Sequence, residues 1–309
     1  MTEGENELVA WLRERFAVDS ELIPVGMGDD AAAVRFGSEL IVITADMLLD
    51  GVHFDTGEHS FKLIGRKAVA CSLSDCAAMG CKPRAATVSV ALSKNMSFDE
   101  VKHLYEGMAG VADEFDCSIV GGDTTSWSGK LAIDVAMLAE PISPKGPILR
   151  SGARIGDTTY VSGPLGGSLE GRHLTFTPRV ELGCRMALEP DLHAMMDISD
   201  GLALDLYRLC EASGCDAELY SEQLEKIISK AAHACAERDG KPSLEHALSD
   251  GEDFELLVVG GYALKHERYG LTPVGRIITR APGDDTTIVI RDRDKGSRPI
   301  EPGGYEHFK

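Results

Sequence analysis

The chain has 309 residues and carries 50 Asp and Glu against 31 Lys and Arg, a formal net charge of −19. A nucleic-acid-binding protein that relies on a basic surface is therefore excluded, and an acidic protein that acts on phosphorylated substrates would need metal ions. No segment reaches the roughly 18 to 20 consecutive apolar residues of a membrane span, and the start Met1–Glu5 lacks the positive region of a signal peptide. We therefore expect a cytoplasmic protein with no membrane contact, and the length suits two domains of roughly 150 residues.

The cysteines do not form a metal-binding or disulfide pattern. None of the eight belongs to a CxxC pair, and no histidines flank them at zinc-finger spacing. Cys71, Cys76 and Cys81 recur every five residues, a rotation of roughly 140° per step on a helix, so they cannot share one face as ligands would. We expect most of the cysteines to be reduced core thiols.

The first half of the chain alternates helices and strands. The pattern predicts a helix over 5–17, a strand over 39–44 and a helix over 60–80. A strand over 86–92 and a helix over 97–117 follow, the helix opened by a capping box of Ser97 and Glu100. A strand over 118–121, a loop over 121–125 and a strand over 130–138 complete this half. The alternation predicts a layered α/β domain.

A proline-rich segment, 140–147, is the best linker candidate, and it places a domain boundary near residue 150. The predicted domains are thus 1–149 and 150–309. The second repeats the α/β theme, with strands over 158–162, 194–198, 254–259 and 287–291. A glycine-rich turn covers 162–171, a helix over 200–213 is closed by Gly214, and the end, 291–304, reads mostly as loop.

Five acidic clusters lie in small or apolar surroundings, where a solvated face does not explain them: 28–31, 44–46, 74–78, 121–125 and 197–201. Asp75 follows Ala68 and Cys71 at helical spacing, on the face that should be buried, where an unpaired carboxylate is costly. Each cluster has a simpler reading, as turn formers (Asp29, Asp30, Asp123), a helix N-cap (Asp200) or the partner of a basic side chain (Asp75). Oxygen ligands around Mg²⁺ explain all five by one cause.

A carboxylate-rich cleft of this kind suggests phosphoryl transfer or ATP binding, yet the usual ATP signatures are missing. There is no P-loop, no GxGxxG opening a helix and no protein-kinase set. The glycine-rich segment 162–171 has no lysine and suits a backbone turn at least as well as a phosphate contact. ATP, if bound, is therefore expected to be held through metals.

Eight segments in order resemble the thiamine-monophosphate kinase family, of the superfamily typified by aminoimidazole ribonucleotide synthetase. They are GMGDDAAAV (26–34), ITADMLLDGVHF (43–54), IGRKAVACSLSDCAAMGCKPR (64–84), GGDTT (121–125), RSGARIGD (150–157), MDISDGLALDL (196–206), GEDFELL (251–257) and GGYEHF (303–308). The resemblance implies two α/β domains, with the N-terminal sheet pairing with that of a second subunit in a homodimer. It also implies ATP held between the domains by several Mg²⁺ ions.

The resemblance assigns roles position by position. The metal-binding role falls on Asp30, Thr44, Asp46, Asp75, Asp123, Asp197 and Asp200. Positions that contact ATP correspond to Tyr105, Gly122, Asp123, Arg150 and Ser199, and those that contact thiamine monophosphate to His53, Glu252 and Tyr305. Alternatives stay open: Tyr105 as a core residue, Arg150 as an anchor to an acidic neighbour, His53 as a loop histidine and Glu252 as a surface carboxylate.

Two positions depart from the family pattern. Ala45 replaces a hydroxyl residue that contributes to one metal position, and Asp250 replaces a glycine beside the substrate residues. The implied reaction is transfer of the γ-phosphoryl group of ATP to thiamine monophosphate, for which we assign no catalytic base because the acceptor is already ionised. The alternatives are another ATP-using enzyme of the superfamily, or a non-catalytic nucleotide-binding module.

Overall fold

The computed structural model describes residues 5–16, 18, 20–280, 285–294 and 296–305. Its first half contains α1 (Glu5–Arg15), β1 (Ala32–Phe36), β2 (Glu39–Leu49), α2 (Phe61–Ala78), β3 (Cys81–Ser93), α3 (Phe98–Glu114), β4 (Ser118–Trp127) and β5 (Ala132–Pro141). The five strands form one sheet in the order β1-β2-β5-β3-β4, in which only β3 and β4 run parallel. The predicted capping box of Ser97 and Glu100 is confirmed at the start of α3.

The second half forms a seven-stranded sheet with helices around it. Its elements are β6 (Thr158–Val161), α4 (Arg172–Thr175), α5 (Val180–Met186), β7 (Leu192–Ile198), α6 (Leu202–Ser213), β8 (Asp216–Tyr220), α7 (Ser221–Leu224), α8 (Lys230–Asp239), α9 (Ser243–Ser249), β9 (Glu255–Gly260), β10 (Thr272–Ile278), β11 (Ile288–Asp292) and β12 (Gly296–Ile300). The strand order is β12-β11-β8-β10-β6-β9-β7. The α/β class is thus confirmed, while the domain boundary near residue 150 stays a prediction; it falls between β5 and β6.

Helix α2 lies at the centre of the molecule. It packs against α3 so closely that a Cβ on Gly65 would stand 1.9 Å from the carbonyl oxygen of Leu104. On another side it meets α5, where a Cβ on Gly183 would stand 2.1 Å from the carbonyl oxygen of Ala77. One core cluster includes side chains of α2 together with Leu256 and Val258 of β9. Polar side chains of α2 therefore lie between the two halves of the chain.

Three local predictions are wrong. The loop predicted over 121–125 lies inside β4, because the chain bulges at Val120 and then continues parallel to β3. A Cβ at Gly122 would stand 1.7 Å from the carbonyl oxygen of Val88, so only glycine fits this approach. The end of the chain, predicted mostly as loop, contains β12, which pairs with β11. Asp200 is not the N-cap of α6, since Gly201 occupies that position.

Several elements gave no clear signal in the sequence, among them β1, β8 and β10. Of the predicted helix over 5–17, residue 17 lies outside the described residues, and α1 ends at Arg15. Within the described part of the chain, no helix combines the length and the apolar character that a bilayer crossing requires.

Candidate active site

Three carboxylates from distant parts of the chain meet between the two halves. Asp30 precedes β1, Asp75 lies near the end of α2, and Asp197 is in β7. One carboxylate oxygen of each lies within 4.8 Å of the others. The side chain of Asp30 is 1% exposed, and its Oδ2 has no hydrogen-bond partner among the described residues. A buried oxygen of this kind indicates a position that a cation can occupy.

Burial makes these carboxylates hard to ionise together. Burial, followed by the charges of Asp46 and Asp197, raises the pKa of Asp75 well above its ordinary value. Burial and then the charge of Asp30 do the same to the pKa of Asp197. The pKa of Asp46 is also raised, again mainly by burial. Because each charge opposes the others, a divalent cation among them would favour the ionised forms.

Hydroxyl groups orient the carboxylates. Thr44 donates a hydrogen bond to Oδ2 of Asp75. Ser72 donates to Oδ2 of Asp46 at 2.6 Å, and Ser74 donates to Oδ2 of Asp197 at 2.5 Å. Ser72 and Ser74 were not identified from the sequence, although their places three residues and one residue before Asp75 on a buried helix are a usable signal. Among the described residues no lysine or arginine pairs with Asp75, so that alternative is wrong.

Two arginines neutralise the edge of the cluster. Arg150 donates from Nη2 to Oδ1 of Asp30 at 2.5 Å, and its backbone N–H donates to both carboxylate oxygens of Asp29 at 3.1 Å. Burial alone would lower the pKa of Arg150, but the charge of Asp30, the hydrogen bond to Asp30 and the charge of Asp29 together outweigh burial, and the pKa rises. Arg208, which the sequence did not single out, donates to Asp200. A cation bound at these aspartates would compete with both guanidinium groups.

A cavity of about 320 Å³ opens beside the cluster. Its lining includes the three predicted substrate residues, several of the predicted ATP and metal positions, and both departures from the family pattern. In that order they are His53, Glu252 and Tyr305; Asp46, Ser199 and Asp200; and Ala45 and Asp250. The backbone N–H of Tyr305 donates to the carbonyl oxygen of Asp200 at 3.1 Å, which returns the end of the chain to the cavity. Residues separated by more than 250 positions therefore share one wall.

Lys67 connects two of the predicted substrate residues and was missed from the sequence. Its side chain is fully buried, and Nζ donates to Oε2 of Glu252 and, at 2.6 Å, to the carbonyl oxygen of His53. Glu252 has a positive φ of 56°, and its backbone N–H donates to the carbonyl oxygen of Ser199 at 2.6 Å. Burial raises the pKa of Glu252 despite the opposing charge of Lys67. The reading of Glu252 as a surface carboxylate is wrong.

The departure at Asp250 has a structural role. Its Oδ2 accepts a hydrogen bond from the backbone N–H of Gly167 at 2.8 Å, and its Oδ1 lies 2.9 Å from Nδ1 of His246. The neighbouring Asp253 accepts from the N–H of Gly166 at 2.9 Å. The two carboxylates thus hold the glycine-rich turn against the cavity, where Leu169 joins the lining.

Three predicted positions lie apart from the cluster. Asp123 and Gly122 are exposed on the edge strand β4, and Asp123 pairs with Ser89, which pairs in turn with Asp134. Since Asp134 is opposite Met47 in β2, Asp123 lies on the sheet face opposite to Thr44 and Asp46. Tyr105 is half-buried on α3 and packs against the core.

Known proteins are similar to this chain in sequence and in fold. Residues 28–140 match the family described as AIR synthase related protein, N-terminal domain. A thiamine-monophosphate kinase of Rhodopirellula baltica is 42% identical over 261 residues, which cover 82% of this chain and 81% of the relative.

Solved structures agree over nearly the whole length. AaThiL complexed with AMPPCP and TMP superposes with a TM-score of 0.84 at 29% identity, covering 99% of this chain and 97% of the other. A thiamine monophosphate kinase from Aquifex aeolicus gives a TM-score of 0.78 at 27% identity, with 94% and 97% covered. The chain belongs to the thiamine-monophosphate kinase family, a family of enzymes within the AIR synthase-related proteins.

Proposed function

We propose that this chain transfers the γ-phosphoryl group of ATP to thiamine monophosphate, giving thiamine diphosphate and ADP. The main support for the proposal is that the three-carboxylate cluster lies beside a cavity lined by His53, Glu252 and Tyr305. A related structure holds AMPPCP and TMP, which supports both the donor and the acceptor.

We assign the metal-binding role to Asp30, Asp75 and Asp197, with Asp46, Thr44 and Asp200 around them. The donors are all oxygens, as Mg²⁺ prefers, and the partnerless Oδ2 of Asp30 supports the assignment. When bound, Mg²⁺ would offset the repulsion between the two phosphate groups. Ser72 and Ser74 keep two of the carboxylates in place before the ligands arrive.

The protein's own groups orient the substrates. Arg150 is placed to bind nucleotide phosphates once a cation takes over its interaction with Asp30, and Ser199 lines the substrate cavity. Glu252, fixed by Lys67, places a carboxyl group in the cavity wall, where its oxygens can accept a hydrogen bond from thiamine or face its cationic ring. The Tyr305 ring offers an aromatic face to the same ring. No general base is required, because the acceptor phosphate is ionised, so catalysis consists of alignment and charge neutralisation.

We also propose a homodimer formed through the outer face of the first sheet. Large apolar side chains are exposed there, with Met47 at 61% and Leu138 at 41%. A face of this kind is covered in most α/β proteins. Asp123 and Gly122 belong to the same sheet, so a second subunit would change their surroundings; their ATP and metal roles, and that of Tyr105, remain proposals.

The thiols support our proposal of a cytoplasmic location. All eight cysteines are free, and seven of them are buried, as expected of core thiols. Reduced thiols in this number are typical of reducing compartments.

A coupled assay of ADP release tests the function. We expect turnover with ATP, thiamine monophosphate and Mg²⁺, and no turnover without Mg²⁺ or with thiamine in place of its monophosphate. ATP binding without turnover would favour the nucleotide-binding module, and turnover only with another acceptor would favour a different enzyme of the superfamily.

A further inference from the structure

A second cavity lies on the seven-stranded sheet, away from the carboxylate cluster. Its volume is about 380 Å³, and it is lined by Tyr220, Glu222, Gln223, Arg276, Arg291 and Arg293. Strand β8, which carries Tyr220, is four strand positions from β7, which carries Asp197. At about 4.8 Å per strand this places the cavity roughly 19 Å across the sheet from the cluster.

The cavity occupies the part of a sheet face that the first half of the chain leaves uncovered. Ala217 and Leu219 of β8 belong to the core under α6, so Glu218 and Tyr220 face the other way. On β6 and β9 that other face packs into the core shared with the first half, through Tyr160 and Leu256. At β8, β10 and β11 the same face carries the cavity, and the arginine side chains that border it are about half exposed or more.

Glu218 holds two of these arginines in fixed positions. Its side chain is only 8% exposed, and Oε2 accepts from Nε and Nη2 of Arg276 at 3.0 and 2.8 Å. Oε1 accepts from Nη1 of Arg291 at 3.4 Å. Both arginines remain about half exposed, and a guanidinium group has five N–H donors, so most of their donors stay available.

The third arginine, Arg293, adds a positive charge that is only weakly offset by a neighbouring carboxylate. Arg293 is 81% exposed and lies 3.6 Å from Glu222, itself 60% exposed. Among the described residues that line this cavity there are therefore three arginines and one exposed carboxylate, Glu222. In a chain with a net charge of −19 this is a local reversal of charge.

We propose that this cavity binds the diphosphate group of a small molecule through Arg276, Arg291 and Arg293. Guanidinium groups bind phosphate oxygens by paired hydrogen bonds. Because Glu218 already orients Arg276 and Arg291, these side chains lose less conformational freedom when a ligand binds. Inorganic diphosphate and a nucleoside diphosphate share this group, and the Tyr220 ring gives the second a surface on which to stack. The site is independent of the proposed reaction.

Calorimetric titration of the full chain with inorganic diphosphate and with ADP tests the proposal. EDTA is included so that metal-dependent binding of phosphates at the carboxylate cluster does not contribute. We expect one site per chain, weakened at least tenfold by R276Q combined with R291Q and at least threefold by R293Q. R298Q, on the neighbouring strand β12 but outside the lining, is the matched control and should leave binding unchanged.

The comparison of probes and variants decides the outcome. ADP binding that is tighter than diphosphate binding and weakened by Y220A identifies a nucleotide; equal affinities identify the diphosphate group alone. R293Q removes an exposed side chain and leaves Glu218 paired, so it tests the site even if the double variant unfolds. No binding at millimolar probe, an equal loss with R298Q, or a loss only with R150Q beside the carboxylate cluster would overturn the proposal.

Discussion

Lys67 and Glu252 form an ion pair between residues 185 positions apart, and the pair joins helix α2 to the wall of the substrate cavity. Lys67 also holds the carbonyl oxygen of His53. One buried ammonium group therefore fixes two of the side chains that we assign to the substrate, one through its carboxylate and the other through its backbone.

Replacing Lys67 by methionine should destabilise the protein strongly. The change leaves Glu252 without its partner in a largely buried position, and breaking a buried pair on one side typically costs about 3–5 kcal/mol. Removing both charges in K67M with E252Q should recover part of that loss, because no uncompensated charge remains. Urea unfolding of the wild type, both single variants and the double variant measures the coupling. A double variant less stable than K67M would show that the pair is not what holds this region.

Replacing Asp75 by asparagine should separate stability from activity. The carboxyl group has a raised pKa because it is buried among other acidic groups, so the substitution should leave the melting temperature without Mg²⁺ unchanged or slightly higher. The rise in melting temperature that Mg²⁺ with ATP produces should be lost, and so should ADP release. D113N, an exposed aspartate on α3, is the control. Activity of D75N within twofold of the wild type would contradict the metal assignment.

His173 should make the fold sensitive to acid. It is 4% exposed, Nδ1 lies 3.0 Å from the carbonyl oxygen of Ser168, and burial lowers its pKa to about 4. In the unfolded chain the His173 ring takes up a proton near pH 6.5, whereas in the folded chain it stays neutral until the pH is close to 4. The contribution of the neutral His173 ring to the free energy of unfolding is therefore fully present above pH 6.5 and is lost as the pH falls towards 4.

The variant H173N tests this pH dependence, since the asparagine amide can donate to the same carbonyl without titrating. The wild type should lose stability relative to H173N as the pH falls from 7 to 5, by at most about 1.4 kcal/mol per pH unit. Chemical unfolding at several pH values measures the difference. A difference that does not change with pH would rule out His173 as the source.

Residue spacing within a single helix or strand predicted those features of the site that depend on one element alone. The spacing of Ala68, Cys71 and Asp75 indicates a carboxylate on a buried helix face, and the structure places it there. The pairing of Lys67 with Glu252 has no local signal, since it depends on how the two halves of the chain pack. The sheet face of Asp123 depends likewise on its register with β3, which a glycine-rich stretch without alternation does not reveal.

Tyr305 is at the end of the described chain, where residues are poorly held unless something ties them down. Its backbone N–H is held by Asp200, while its side chain, in a residue that is 42% exposed, lines the cavity. A cationic ring stacked on tyrosine gains on the order of 0.5 to 2 kcal/mol. We therefore expect Y305A to raise the Michaelis constant for thiamine monophosphate several-fold and to leave that for ATP nearly unchanged, because only one substrate loses a contact. Y305F keeps the aromatic face and should retain the wild-type constants, which steady-state kinetics with each substrate varied in turn can measure. If both constants are unaltered in Y305A and its melting temperature falls, the ring anchors the end of the chain and does not contact the substrate.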